Sequence, residues 1–183
     1  MSRILVAGIG NIFQADDAFG VEVVQRLARR ALPPGVKVVD FGIRGVDLAY
    51  ALLDGHDAAV LVDTAQRGEP AGTLYVIEPE RPAAEGVESP AFSPHELDPA
   101  RVLDLVRALG GDCPRVLVLA CEPLSLGDEQ GEIGLSAPVA AAVEPAIAMI
   151  EKLVRQLSER SDAAVEYDGP GANQVRTNER SVS

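Results

Sequence analysis

The 183-residue chain has no tryptophan, two cysteines and only 4% aromatic residues, and its 16 basic residues are outnumbered by 28 acidic ones. Each shortage excludes something. So few aromatics leave an aliphatic core and binding surfaces poor in aromatic anchors. Cys113 and Cys121 are too few and too far apart for a disulfide framework or a C-x-x-C redox pair, and they read as small buried residues. A net charge of −12 disfavours nucleic acid, which proteins bind by neutralising phosphates. No apolar run reaches the roughly 20 residues that span a bilayer. The first residues enter a strand directly, without the basic, apolar and small-residue regions of a secretion signal. Neither H-E-x-x-H nor G-x-S-x-G is present, so two common hydrolase signatures are missing. The expectation is a cytoplasmic monomer with no nucleic-acid or membrane partner.

Hydrophobic residues nevertheless make up 47% of the chain, and their pattern is informative. Apolar runs predict strands at Arg3–Ala7, Val36–Asp40, Ala58–Val62, Thr73–Ile77 and Arg115–Ala120. Ala58–Val62 is the most apolar, as a central strand buried on both faces would be. Three- and four-residue spacing predicts helices from Phe19 to Ala31, from Val46 to Leu53, from Ser93 to Leu109 and from Ser136 onward. Ser93 and Glu96 have the spacing of a capping box with Pro94 at the first helical position, and Pro145 suggests a kink or restart in the last helix. Such alternation predicts a three-layer α/β/α domain over residues 1–157, with about five strands in a mostly parallel twisted sheet and helices on both faces. From Ser158 to Ser183 the apolar pattern is lost, and this stretch reads as a disordered tail.

Three side chains stand where such a sheet builds sites. Asp16 and Asp17 follow the Gly8-Ile-Gly10-Asn11 turn at the start of the first helix, where either can cap it or complement its dipole. Asp16 is the better cap candidate, which leaves Asp17 to face a cleft. Asp63 ends the central strand on the carboxyl rim, where open sheets bind ligands, although a turn-forming aspartate is a plainer reading. His95 lies in the first turn of a capped helix, where the imidazolium is disfavoured and a neutral, ligating imidazole is favoured. An isolated surface histidine is its plainer reading. Together two carboxylates and an imidazole suit Ni²⁺ or Zn²⁺.

The stretch Gly8-Ile-Gly-Asn-Ile-Phe-Gln-Ala-Asp-Asp-Ala-Phe-Gly20, with Asp40, Asp63, Ser93-Pro-His-Glu-Leu97, Glu122-Pro123 and Gly134-Leu-Ser136, resembles the hydrogenase maturation proteases from Arg3 to about Arg155. The resemblance implies a five-stranded twisted sheet between helices. It also implies an endopeptidase that removes a short C-terminal extension from the precursor of a [NiFe]-hydrogenase large subunit after nickel insertion. By that resemblance Asp17, Asp63 and His95 are the metal-linked catalytic residues, and the nickel is supplied by the bound precursor. Gly10, Asn11, Asp16, Asp40 and Gly42 would meet the substrate, with Asp16 in a capping or supporting position. Asp17 stands where many members have Glu, one methylene longer. After Asp40 this chain reads Phe41-Gly-Ile-Arg-Gly45 where many members have Gly-Gly-Thr-x-Gly, so Phe41 and Ile43 point to a different subgroup or target. Two other readings remain open. A nickel-dependent chaperone would use the same pocket without cutting. A dinucleotide-binding domain would share the first two glycines but has Phe13 at the third glycine position and two acids where a pyrophosphate would sit.

Overall fold

The computed structural model describes residues 2–79, 99–111, 113–128 and 130–165. Strands β1 (Ile4–Ile9), β2 (Val36–Gly42), β3 (Ala58–Thr64), β4 (Leu74–Ile77) and β5 (Arg115–Cys121) form one sheet in the order β2-β1-β3-β5-β4. All neighbours are parallel except β4, which runs antiparallel to β5 on the edge. The helices are α1 (Phe19–Leu27), α2 (Gly45–Leu53), α3 (Pro99–Ala108) and α4 (Ala137–Val165).

Side-chain alternation in the buried strands divides the core in two. Ile4 and Val6 of β1, with Ala58, Val60 and Val62 of β3, pack beneath α1 and α4. Leu5, Ala7 and Ile9, with Ala59 and Leu61, pack beneath α2 and α3 on the opposite face. The three-layer expectation therefore holds, and the all-apolar strands are those covered on both sides.

Several boundaries differ from the sequence pattern for local reasons. Helix α1 stops at Leu27 rather than Ala31, so Arg29 and Arg30 lie beyond its last turn. Helix α4 runs unbroken through Pro145. The proline cannot bond the Ala141 carbonyl, but both residues are exposed, so water can satisfy that oxygen. Helix α4 continues to Val165, past the Ser158 boundary expected for the tail, and residues 166–183 lie outside the described residues. The predicted helix start at Ser93, Pro94 and Glu96 lies outside the described residues. No described helix is long and apolar enough to cross a membrane.

Connectivity decides where a site can form. From β1 the chain crosses through α1 to β2 on one side, whereas from β3 it leaves toward β4 and β5 on the other. The carboxyl ends of β1 and β3 therefore flank a topological switch point, the place where open parallel sheets leave a crevice. Helix α2 begins at this same edge because it descends from β2 to the start of β3. Gly111, just past α3, sits so close to Leu53 at the end of α2 that an added Cβ would lie 1.8 Å from Leu53 Cδ2. Because α2 and α3 end together, α3 also starts toward the carboxyl edge.

Candidate functional site

The glycines after β1 make the crevice possible. Gly10 has φ +136°, and a Cβ there would stand 1.8 Å from the Asp17 carbonyl oxygen, so the turn folds directly onto Asp17. Gly20, at the second residue of α1, faces the backbone of two strands; its Cβ would meet Val62 O at 2.1 Å and Ile9 O at 2.3 Å. Gly20 thus performs the close helix–sheet packing that a third glycine at position 13 would perform in a dinucleotide-binding turn. Between them the chain makes a 3₁₀ turn over Ala15–Ala18, with Ala15 held at φ +45°.

Asp17 Oδ2 accepts a hydrogen bond from the Asn11 backbone N–H at 2.7 Å. Its carboxylate also accepts from the Thr64 side chain. The Thr64 backbone N–H in turn donates to Asp63 Oδ1 at 2.7 Å. Thr64 therefore links the two carboxylates across the switch point. It was not singled out from the sequence, where only its adjacency to Asp63 marks it.

Asp16 behaves differently from the cap it was expected to be. Neither the 3₁₀ turn nor α1 has a side-chain cap. Asp16 has no exposed surface, and its carboxylate accepts from the N–H groups of Leu124 (2.8 Å), Ser125 (3.1 Å) and Ser136 (2.7 Å) and from Ser136 Oγ (2.9 Å). It anchors the loop preceding α4 and complements the positive end of that distant helix. The carboxylate expected to meet substrate thus makes four internal bonds. Asp40 Oδ2 accepts from Gln25 Nε2 of α1 at 3.1 Å, and Gly42 O accepts the Gly10 N–H at 3.0 Å, so both residues flank the β1 turn. Phe41 is buried under α2, leaving Ile43 as the exposed apolar residue of that loop. His95 lies outside the described residues.

Residues 21–153 match the family model described as HycI, hydrogenase maturation protease. The chain belongs to the hydrogenase maturation protease family. It is 34% identical over 95% of its length to the hydrogenase expression/formation protein HupD of Bradyrhizobium diazoefficiens, covering 91% of that protein. It is 32% identical to the hydrogenase 2 maturation protease of Escherichia coli, over 84% of this chain and 92% of the relative. The solved structure of the hydrogenase maturating endopeptidase HybD from E. coli superposes with a TM-score of 0.66 at 29% identity, covering 84% of this chain and 93% of that one.

The carboxyl edge of this maturation protease is electrostatically sorted. Burial raises the pKa of Asp17, and the bonds from Asn11 and Thr64 offset that only in part. Such a carboxylate gains from an arriving cation. Burial acts the same way on Asp16, but there the bonds from Ser136, Ser125 and Leu124 prevail and hold it below the usual carboxylate range. Glu122, also buried, accepts from the N–H groups of Arg67 and Gly68 and from the Tyr75 hydroxyl at 2.7 Å. Its burial is outweighed by these bonds, and its pKa is lowered. Glu122 therefore ties down the loop that follows Asp63 and Thr64. Burial first, then the charges of Asp16 and Glu122, push the Cys121 thiol up to about 12, so it offers no thiolate nucleophile. Among the described residues no three His, Cys, Asp or Glu form a metal-holding group.

Proposed function

We propose that this maturation protease removes the C-terminal extension of a [NiFe]-hydrogenase large-subunit precursor after nickel insertion, with Asp17, Asp63 and His95 completing the coordination of the nickel that the precursor carries. The observation that carries the reading is the pairing of Asp17 and Asp63 through Thr64 at the switch point. His95 is four residues ahead of Pro99, where α3 starts toward the same edge, and four residues of chain reach at most about 14 Å. Two carboxylates and an imidazole leave coordination positions for the precursor's own groups. Nickel is then substrate-borne cargo that either polarises the scissile carbonyl or anchors the chain being cut. Gly10, Asn11 and Gly42 bring backbone close to the bound segment, while Asp40 supports the β1 turn from the side. The same reading places the protein in the cytoplasm as a monomer, and its charge of −12 supports the absence of a nucleic-acid partner.

The test is incubation of the purified protein with nickel-loaded and nickel-free precursor, followed by intact-mass measurement of the large subunit. Shortening confined to the loaded precursor, and lost in Asp63→Ala and His95→Ala, is the expected result. No shortening of the loaded precursor would refute the protease reading. Processing by His95→Ala at the wild-type rate would remove His95 from the site.

A further inference from the structure

Beside Asp17 the carboxyl edge carries an open groove of about 430 Å³, walled by Asn11, Phe13 and Gln14 on one side and by Asp128 and Ile133 on the other. Its two walls are bonded to each other. The Ala15 N–H donates to Glu132 O at 2.6 Å and the Glu132 N–H to Phe13 O at 2.9 Å, and Asp16 anchors the base of the second wall at Ser125 and Ser136. The groove is thus a preformed feature of the fold.

Its lining carries exposed apolar side chains. Phe13 is 58% exposed and Ile133 80% exposed, whereas Phe19 and Phe41 are buried. In a sequence with 4% aromatics, a phenylalanine left in water at the rim of a candidate site marks a contact surface. The wall that bears Ile133 also carries Asp128, whose Oδ1 is held by the Gln130 N–H at 2.9 Å. Asn11 joins groove and site, because it lines the one and donates its N–H to Asp17 in the other.

We infer that this groove is a substrate subsite for an extended segment of the precursor, seating an apolar side chain between Phe13 and Ile133 and directing a lysine or arginine toward Asp128. The inference rests on the protease reading above and deepens it. Contacts that do not touch the reacting atoms strengthen ground state and transition state alike, so their loss falls on KM rather than kcat.

The test is processing of nickel-loaded precursor by wild type, the Phe13→Ala/Ile133→Ala double variant, Phe13→Leu and Asp128→Lys. The double variant should lose about tenfold or more in kcat/KM through KM, with kcat held. Phe13→Leu should retain most activity, and Asp128→Lys should raise KM in a salt-dependent way. A double variant within twofold of wild type overturns the proposal, as does a fall in kcat at constant KM. Binding of the same precursor by calorimetry separates the two levels of the argument. Wild type that binds but does not cut, while the double variant fails to bind, sinks the protease reading and keeps the groove. Equal binding by both, or no binding by either, sinks the groove. If wild type sediments as a dimer and the double variant as a monomer, the occupant is a second copy and the proposal falls.

Discussion

Replacing Asp16 tests whether the loop wall depends on one carboxylate. With no exposed surface and four donors within 3.1 Å, Asp16 cannot be exchanged without leaving backbone N–H groups unsatisfied. Hydrogen bonds to a charged acceptor contribute about 1.5–3 kcal/mol each, but they share one loop and do not add. Once released, that loop can also turn its amides to water. Asp16→Ala should therefore cost about 3–5 kcal/mol, the range for opening a buried charged network. For a chain of this length that lowers Tm by roughly 6–20 °C. Asp16→Asn keeps one oxygen for Leu124 and Ser125 but points its NH₂ at the Ser136 N–H, so it should cost about 2 kcal/mol. The assay is thermal melting at pH 7 with residue-resolved amide exchange. Leu124, Ser125 and Ser136 should exchange sooner in both variants while β1 and β3 stay protected. An Asn variant as stable as wild type, or exchange spread evenly over the sheet, would show that the loop is held by something else.

Asp17→Asn should abolish processing yet leave Tm at pH 7 unchanged or slightly raised, because burial disfavours the charge it removes. The pH dependence follows from the signs. Asp16 and Glu122 have lowered folded pKa values, so their stabilisation is full above the ordinary values of 3.8 and 4.5 and is lost as pH falls through the folded ones. Asp17, with a raised folded pKa, acts the opposite way, stabilising below its unfolded pKa and losing that as pH rises; melts between pH 6 and 2 should show a steeper acid loss in Asp17→Asn than in wild type. Gly10→Ala should displace Asp17, given the 1.8 Å approach to its carbonyl, and reduce processing more than stability. Under native conditions a thiol reagent at pH 8 should spare Cys121, held near 12, until the protein unfolds.

Much of this was written locally in the chain, and the rest was not. The central strands β1, β3 and β5 were legible because burial on two faces demands continuous apolar runs, and Asp63 was legible because such a run ended on it. The direction of β4 was not, since alternation carries no polarity. Asp16 looked like the cap of its own helix; its partners lie 108 to 120 residues away, where no spacing rule reaches. Thr64 and Glu122 were missed as organisers for the same reason, although Glu122-Pro123 lay within the family pattern. Gly20 was visible as a motif residue, but its purpose depends on Val62, a strand apart in sequence and adjacent only in space.

At the end of the sheet opposite the site, the Ser2 hydroxyl donates to Ser158 O of α4 at 3.2 Å. With 29 residues α4 is about 44 Å long, roughly twice the span of the strands it covers. Attachment at the Ser2 end places a fused partner on the far side of the domain from Asp17 and Asp63. A flexible tether must then reach about 25 Å around the edge, which takes about 20 residues in root-mean-square terms. Tethers of fewer than about 8 residues cannot span that distance even when fully extended and would leave a fused precursor at negligible effective concentration at its own protease. Linker length thus becomes a ruler for the distance between attachment point and cutting edge.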